Sequence, residues 1–467
     1  MAYGGWATTL VDSLDTLLIL GLMQEFKDAT KASTSLDFAW SHEAEISTFG
    51  TNIRYLGAFL AAYDLSGDHA LLYKAIEVGE LLLAAFDTPS HLPVAKFRWQ
   101  EAASGAIQNT SFTTIAELGS YSLEFTHLSQ VTGDMPYQEC GRKILMLVAL
   151  STEMPSSSCS LGGCSDSAYE YLLKTHQLVG GAVSTYEEMY RAATDAIVEH
   201  LLFQPATPDN ESILALGTSV AATGTRPVLD PKLEHLSCFA GGMFALGSRL
   251  LDVPEHLSIA EKLANGCIWA YNAFPLGVMP ETSYLMICDR QPCVWEDHDQ
   301  NSFRLLPPGI LAVTDPAYRL RPEAIESLFY LYRITGNTAL QDVAWEMFQQ
   351  ISRLTRTEFG NAELADVTVT FGMPRKVDSM SRYVDILSLT SILTELDSYW
   401  MAETLKYFYL IFSEPSLGNL DEWVYSTEGH LFRLKCRQHP GAVDRYMQTF
   451  QMRAGHQSPF SVAALDF

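Results

Sequence analysis

The segment LRPEAIESLFYLYRITGN, running from Leu320 to Asn337, decides the fold class of this chain. Pro322 suits a first helical turn, where its missing N–H costs nothing and its fixed φ already fits. The apolar run that follows, through Leu328, Phe329 and Leu331, keeps the three- and four-residue spacing of a helix face, and Gly336-Asn337 supplies a left-handed stop. Glu323 and Glu326 fall three apart on one face of the first turn, next to Arg321. The helix dipole by itself favours acids there. Set behind an arginine and ahead of a buried run, they also put charge at a rim where a polar ligand can be gripped.

The same punctuation recurs elsewhere. AYDLSGDHALLYKA (62–75) and SQVTGDMPYQEC (129–140) repeat the order helix end, Gly-Asp turn, new helix, so Gly67 and Gly133 match Gly336 as left-handed stops. Helical periodicity covers 14–22, 53–63, 71–86, 115–128, 169–178, 186–202, 239–251, 260–271, 325–334, 343–354 and 402–412, while β-type alternation is weak except near 423–434. The expectation is an all-α fold of repeated helical hairpins. A closed ring would converge side chains on its axis; an open solenoid would spread them along a groove.

Acids punctuate these helices. Asp166 and Glu170 stand at i, i+4, Asp12 and Asp15 at i, i+3, and Glu403 interrupts an almost wholly apolar run. A carboxylate facing a core is costly unless it is paired, hydrogen-bonded or metal-bound, so several of them suggest one shared acidic pocket.

The chain has 467 residues, is 48% hydrophobic and shows no linker or low-complexity tract, as one large domain would. A formal charge of −25 without a clustered basic face argues against nucleic acid as a partner. No stretch reaches the roughly 18 unbroken apolar residues of a membrane span, and the start lacks the basic region of a signal peptide. Asn109-Thr110-Ser111 and Asn210-Glu211-Ser212 are glycosylation sequons. Of the eight cysteines, Cys288 and Cys293 flank a short polar loop, and Cys238 and Cys267 lie in separate helical segments. Disulfides and reduced core thiols both fit that pattern, and no Cys/His spacing suits zinc.

Eight ordered blocks, GWATTLVDSLDTLLILGL, FGTNIRYLGAFLAAYDLSGD, SDSAYEYLLK, HLSCFAGGMFALG, GVMPE, LRPEAIESLFYLYRITGN, AETLKYFYLIF and STEGH, resemble glycoside hydrolase family 47, the class I α-1,2-mannosidases. The resemblance implies a single catalytic domain over 1–467, an (α/α)7 barrel with a small C-terminal β-hairpin plug, and Ca²⁺ at the base of an acidic axial pocket. It makes Glu323 the general base, with Asp166 and Glu281 the other catalytic carboxylates. Thr427 would hold Ca²⁺ through its hydroxyl and carbonyl oxygens, and Glu326, Glu403 and Glu428 would order the waters and sugar hydroxyls around the ion. Arg54 and Arg321 would contact mannose, and Cys238 would pair with Cys267.

The implied chemistry is inverting hydrolysis of terminal α-1,2-linked mannose on high-mannose N-glycans, by a monomer of the secretory pathway or a secreted one. Cys164 stands where the subgroup that trims a single mannose carries arginine, which points to a wider pocket and broad trimming. Three departures stand out. Gly50 occupies the place of the Glu usually assigned as proton donor, the family extends further before the first matched block and includes a helix of the ring there, and SRYVDILSLTSILTEL (381–396) intervenes ahead of Glu403. The alternative they leave is a catalytically impaired, lectin-like binder of mannose glycans.

Overall fold

The computed structural model describes residues 3–104, 106, 108, 114–137, 139–141, 158–220, 227–288, 293, 306–358, 360–377 and 398–434. The Asn109 sequon and the 381–396 stretch lie outside the described residues. In chain order the principal helices are α1 (Leu14–Ile19), α2 (Met23–Ser33), α3 (Gly57–Ser66), α4 (His69–Ala84), α5 (Tyr121–Thr132), α6 (Asp166–Leu178), α7 (Ser184–His200), α8 (Ala240–Leu250), α9 (Pro254–Ala273), α10 (Glu323–Thr335), α11 (Ala339–Thr355) and α12 (Leu405–Ile411). Gly67, Gly133 and Gly336 end α3, α5 and α10 at φ values of 72°, 83° and 70°, the left-handed stops read from the sequence.

Burial separates two layers. Every residue of α10 from Glu323 to Leu331 is buried, as is every residue of α8 from Ala240 to Gly247. Helix α11 instead buries only a stripe through Ala344, Met347, Ile351 and Leu354. A helix covered all round belongs to an interior, and a striped one to a surface. Contacts order the inner helices as α1, α3, α5, α6, α8, α10 and α12, and the turns ahead of α12 pack back on α1. Seven inner helices thus close a ring, with α2, α4, α7, α9 and α11 outside it. Close approach of α8 and α10 needs glycine, since a Cβ on Gly242 would stand 2.9 Å from the Tyr330 ring.

A three-stranded antiparallel sheet, β1 (Lys232–Glu234), β2 (Thr282–Leu285) and β3 (Ile310–Asp315), is ordered β3-β2-β1. Its strands were not legible as alternation because they are short and the β2–β3 register shifts twice. Strands β4 (Trp423–Tyr425) and β5 (Leu431–Arg433) form the expected hairpin. Its strands pack against α6 and α3, and its turn, 426–430, reaches the ring axis. Cys238–Cys267 ties the entry of α8 to outer helix α9, and Cys288 is joined to Cys293.

Candidate active site

The candidate site is built where inner helices begin. Asp166 and Glu323 open α6 and α10, while Arg54 and Glu403 lie on the π-helical turns Thr51–Leu56 and Trp400–Thr404 that lead into α3 and α12. Such turns shift side-chain direction within a helix and recur at functional sites. The approach to α10 is strained: buried Leu320 holds φ +61°, unfavourable for a branched side chain. Thr404 Oγ1 donates to its carbonyl at 2.7 Å and Tyr399 OH to that of Arg319 at 2.6 Å, so neighbouring helices fix the turn that aims Arg321.

Arg321 is clasped by two acids. Its Nε lies 3.0 Å from Glu281 Oε2, and its Nη1 3.7 Å from Glu323 Oε1. Arg319 adds a second guanidinium to Glu281 at 3.2 Å. Glu323 Oε2 is 2.9 Å from His235 Nδ1, and His235 Nε2 is 2.8 Å from Tyr271 OH. With Glu323 ionised, Nδ1 carries the proton toward it, and the Tyr271 hydroxyl steadies the far side of the ring. Burial works to raise the Glu323 pKa, but the His235 hydrogen bond and then the Arg321 charge outweigh it, leaving the acid below the ordinary glutamate range. Asp166 differs. It is half-buried, and burial pushes its pKa up to about 7, although the Ser167 N–H donates to it at 2.9 Å.

Deeper in, Lys174 bonds to Glu170, one turn earlier on α6, and reaches Glu326 at 3.4 Å and the Ser426 carbonyl at 3.5 Å. Burial nevertheless pushes Glu326 up to about 8. Glu428 also rises to about 8 through burial, although Arg54 Nε lies 3.1 Å away. Glu403 is raised well above the carboxylate range by burial first and then by Glu428, Glu326, Glu323 and Asp12. Carboxyl groups therefore outnumber cations around the hairpin turn, and burial holds them toward the neutral form. Thr427, half-buried at that turn, donates its N–H to Tyr171 OH at 3.0 Å, and Tyr171 donates to Glu124 at 2.6 Å.

Beneath the turn charges balance. His430 lies 3.2 Å from Asp15 and 3.1 Å from Asp12, while Lys406 reaches Asp15 and the Gly429 carbonyl at 2.7 Å each, all without solvent exposure of the charged side chains. Gly57 makes room for His430, since a Cβ there would meet its ring at 2.7 Å.

The nine residues read as catalytic, sugar-contacting or calcium-holding, Asp166, Glu281, Glu323, Arg54, Arg321, Glu326, Glu403, Glu428 and Thr427, therefore line one axial region. Gly50 is buried one turn ahead of Arg54; its N–H donates to Ser47 Oγ, and Thr51 Oγ1 donates to the Ser47 carbonyl. Neither residue offers a carboxyl. Cys164 is exposed at φ +78°, two residues ahead of Asp166. Sequence reasoning missed His235, Tyr271, Lys406 and His430, whose partners are remote in the chain; it also missed Lys174, although its place four residues after Glu170 is a signal that helical spacing offers.

Among the described residues no three His, Cys, Asp or Glu side chains are grouped to hold a metal. Thr427, at the hairpin turn beside buried Glu326, Glu403 and Glu428, could offer oxygen ligands to a hard cation.

The glycosyl hydrolase family 47 model matches residues 1–434. The chain belongs to that family. It is 32% identical to an Arabidopsis thaliana mannosyl-oligosaccharide 1,2-α-mannosidase, over 98% of this chain and 76% of that protein. With the human endoplasmic reticulum mannosyl-oligosaccharide 1,2-α-mannosidase the identity is 34%, over 91% of this chain and 58% of the relative. The chain thus spans little more than half the length of some relatives. The α-1,2-mannosidase from Trichoderma reesei matches with a TM-score of 0.79 at 28% identity, covering 92% of this chain and 91% of that one. The likeness extends to the fold, an (α/α)7 barrel, which the closed ring of seven inner helices already describes. Family membership makes the chain a glycosidase by class.

Proposed function

We propose that this chain is a Ca²⁺-dependent, inverting α-1,2-mannosidase that trims terminal mannose from high-mannose N-glycans in, or secreted from, the secretory pathway. The carrying observation is the divergence of two pocket carboxyls, Glu323 held below its usual pKa and Asp166 raised to about 7. Paired groups pushed apart in this way mark a base and an acid. Glu323, ionised and oriented by His235, takes the proton from the attacking water. Asp166, protonated to near neutrality and open to the cavity, gives a proton to the departing sugar oxygen, which Gly50 cannot do. An inverting reaction admits water between carboxyls separated by roughly 6.5–9.5 Å.

Glu281, paired with two guanidiniums, fixes Arg321 at the sugar, and Arg54 is held toward the turn by Glu428. Thr427 would hold Ca²⁺ through its oxygens, with Glu326, Glu403 and Glu428 ordering waters and sugar hydroxyls around it. When bound, the ion supplies positive charge that orients vicinal mannose hydroxyls. Cys164 leaves the rim open to more than one branch. A specific observation, the absent carboxyl at Gly50, favours a second reading: a mannose-glycan binder with crippled turnover.

Asp166→Asn separates the two readings. Under the first, it slows release from α-1,2-mannobiose by about 10²–10⁴-fold and hardly affects α-mannosyl fluoride, whose leaving group needs little protonation. Under the second, wild-type turnover of the disaccharide is already residual, and Gly50→Glu raises it selectively.

A further inference from the structure

A surface groove of about 350 Å³ takes no part in this chemistry. It lies on outer helix α9 and is lined by Glu211, Ser212, Asn265, Ile268, Trp269 and Asn272. Gly266 creates it by letting the chain pass directly over the helix, since a Cβ there would stand 2.1 Å from the Leu214 carbonyl. Leu214 N donates to the Lys262 carbonyl at 3.0 Å, which fastens the crossing. Exposed Asn265 and Asn272, two turns apart, leave carboxamides on either side of an apolar floor formed by Ile268 and Trp269. Amides flanking an apolar, partly aromatic floor suit a sugar, which presents hydroxyl or acetamido groups at its rim and C–H groups on its faces.

Asn210 stands at the edge of this groove, immediately ahead of two of its lining residues. It is exposed at φ +53°, a conformation asparagine tolerates, in a turn where Glu211 N donates to Thr207 Oγ1 at 2.9 Å. Its Oδ1 accepts from Cys293 N at 2.7 Å. Because the carboxamide is planar, anchoring Oδ1 turns Nδ2 to the opposite side. Ser212, exposed two residues on, completes an Asn-x-Ser acceptor.

We propose that Asn210 carries an N-linked glycan whose first N-acetylhexosamine is seated in this groove. An oligosaccharide diphosphate lipid is the donor: the bond from sugar C1 to phosphate oxygen breaks, the C1–Nδ2 bond forms, one amide proton is lost and the lipid diphosphate leaves. The proposal is independent of the mannosidase reading.

The test uses the full chain secreted from a eukaryotic host. Peptide mapping finds Asn210 occupied in the wild type and in Ser212→Thr, and unoccupied in Ser212→Ala, which leaves the Asn210 side chain intact. Glycoamidase treatment of folded protein then releases the Asn210 glycan about tenfold faster from Asn265→Ala/Asn272→Ala than from wild type, the effect of roughly one net hydrogen bond, with equal rates after denaturation. An unoccupied Asn210 in the wild type overturns the proposal. Equal release rates from the folded proteins overturn the seating.

Discussion

Two buried charge clusters on the same axis use opposite solutions. Around Asp12, Asp15, His430 and Lys406 each acid faces a cation within about hydrogen-bonding distance, although Asp12 Oδ2 is buried without a hydrogen bond of its own. Burial would raise the Asp15 pKa, but Lys406 and His430 hold it below the usual range; burial would lower that of His430, but Asp15 and then Asp12 push it up to about 9. One turn above, Glu326, Glu403 and Glu428 outnumber the cations they touch, and all three are driven upward. The lower cluster ties the hairpin to the ring. The upper one leaves carboxyls without matching cations, and the proposed calcium site rests on that difference.

The largest expected effect falls at the mouth. Glu323→Gln keeps shape and one acceptor but removes the base, so turnover of α-1,2-linked mannose should fall by about 10²–10⁴-fold with glycan affinity retained. Undiminished hydrolysis would move the base elsewhere. In the lower cluster the effect should be on stability: Lys406→Met leaves Asp15 short of its partner and should cost about 3–5 kcal/mol by denaturant unfolding. A loss below roughly 1 kcal/mol would show the pair to be dispensable and erase the contrast.

The helical fold was legible beforehand but this contrast was not: Asp12 and Asp15, expected in one acidic pocket with Asp166 and Glu403, are instead paired with Lys406 and His430. The Pro-Glu start and Gly stop around α10 and the repeated Gly-Asp turns pointed to an all-helical repeat, and the family blocks implied ring closure. His235 and His430 were not legible, because their partners, Glu323 in one case and Asp12 and Asp15 in the other, lie far along the chain. The strain at Leu320 was also hidden; nothing in the residue type announces a positive φ when Tyr399 and Thr404, remote in sequence, impose it.

Cation removal sharpens the upper half of the comparison. Ca²⁺ at a hundredfold excess over its Kd should stabilise the fold by about 2.7 kcal/mol, read as a rise in Tm, and Thr427→Ala should abolish most of that rise. A Tm indifferent to both calcium and chelator would remove the cation from the account. The smallest effects are in pH. His430 has a raised folded-state pKa, so its stabilisation is full below its ordinary pKa of about 6.5 and is lost as pH rises through about 9. His430→Gln should therefore destabilise more at pH 6 than at pH 10. At the mouth, turnover should fall as pH rises through about 7, where Asp166 loses its proton, and Asp166→Asn should remove that limb.

The proposed reaction has water, activated by Glu323, displace the glycan from terminal α-linked mannose. Proton NMR of the sugar released from a high-mannose N-glycan, followed in calcium-containing buffer from the first turnovers, distinguishes the two anomers before they equilibrate. β-Mannose should be the first product, mutarotating later to the anomeric mixture, with almost none from Glu323→Gln. Initial α-mannose, or no mannose from the wild type, would contradict it.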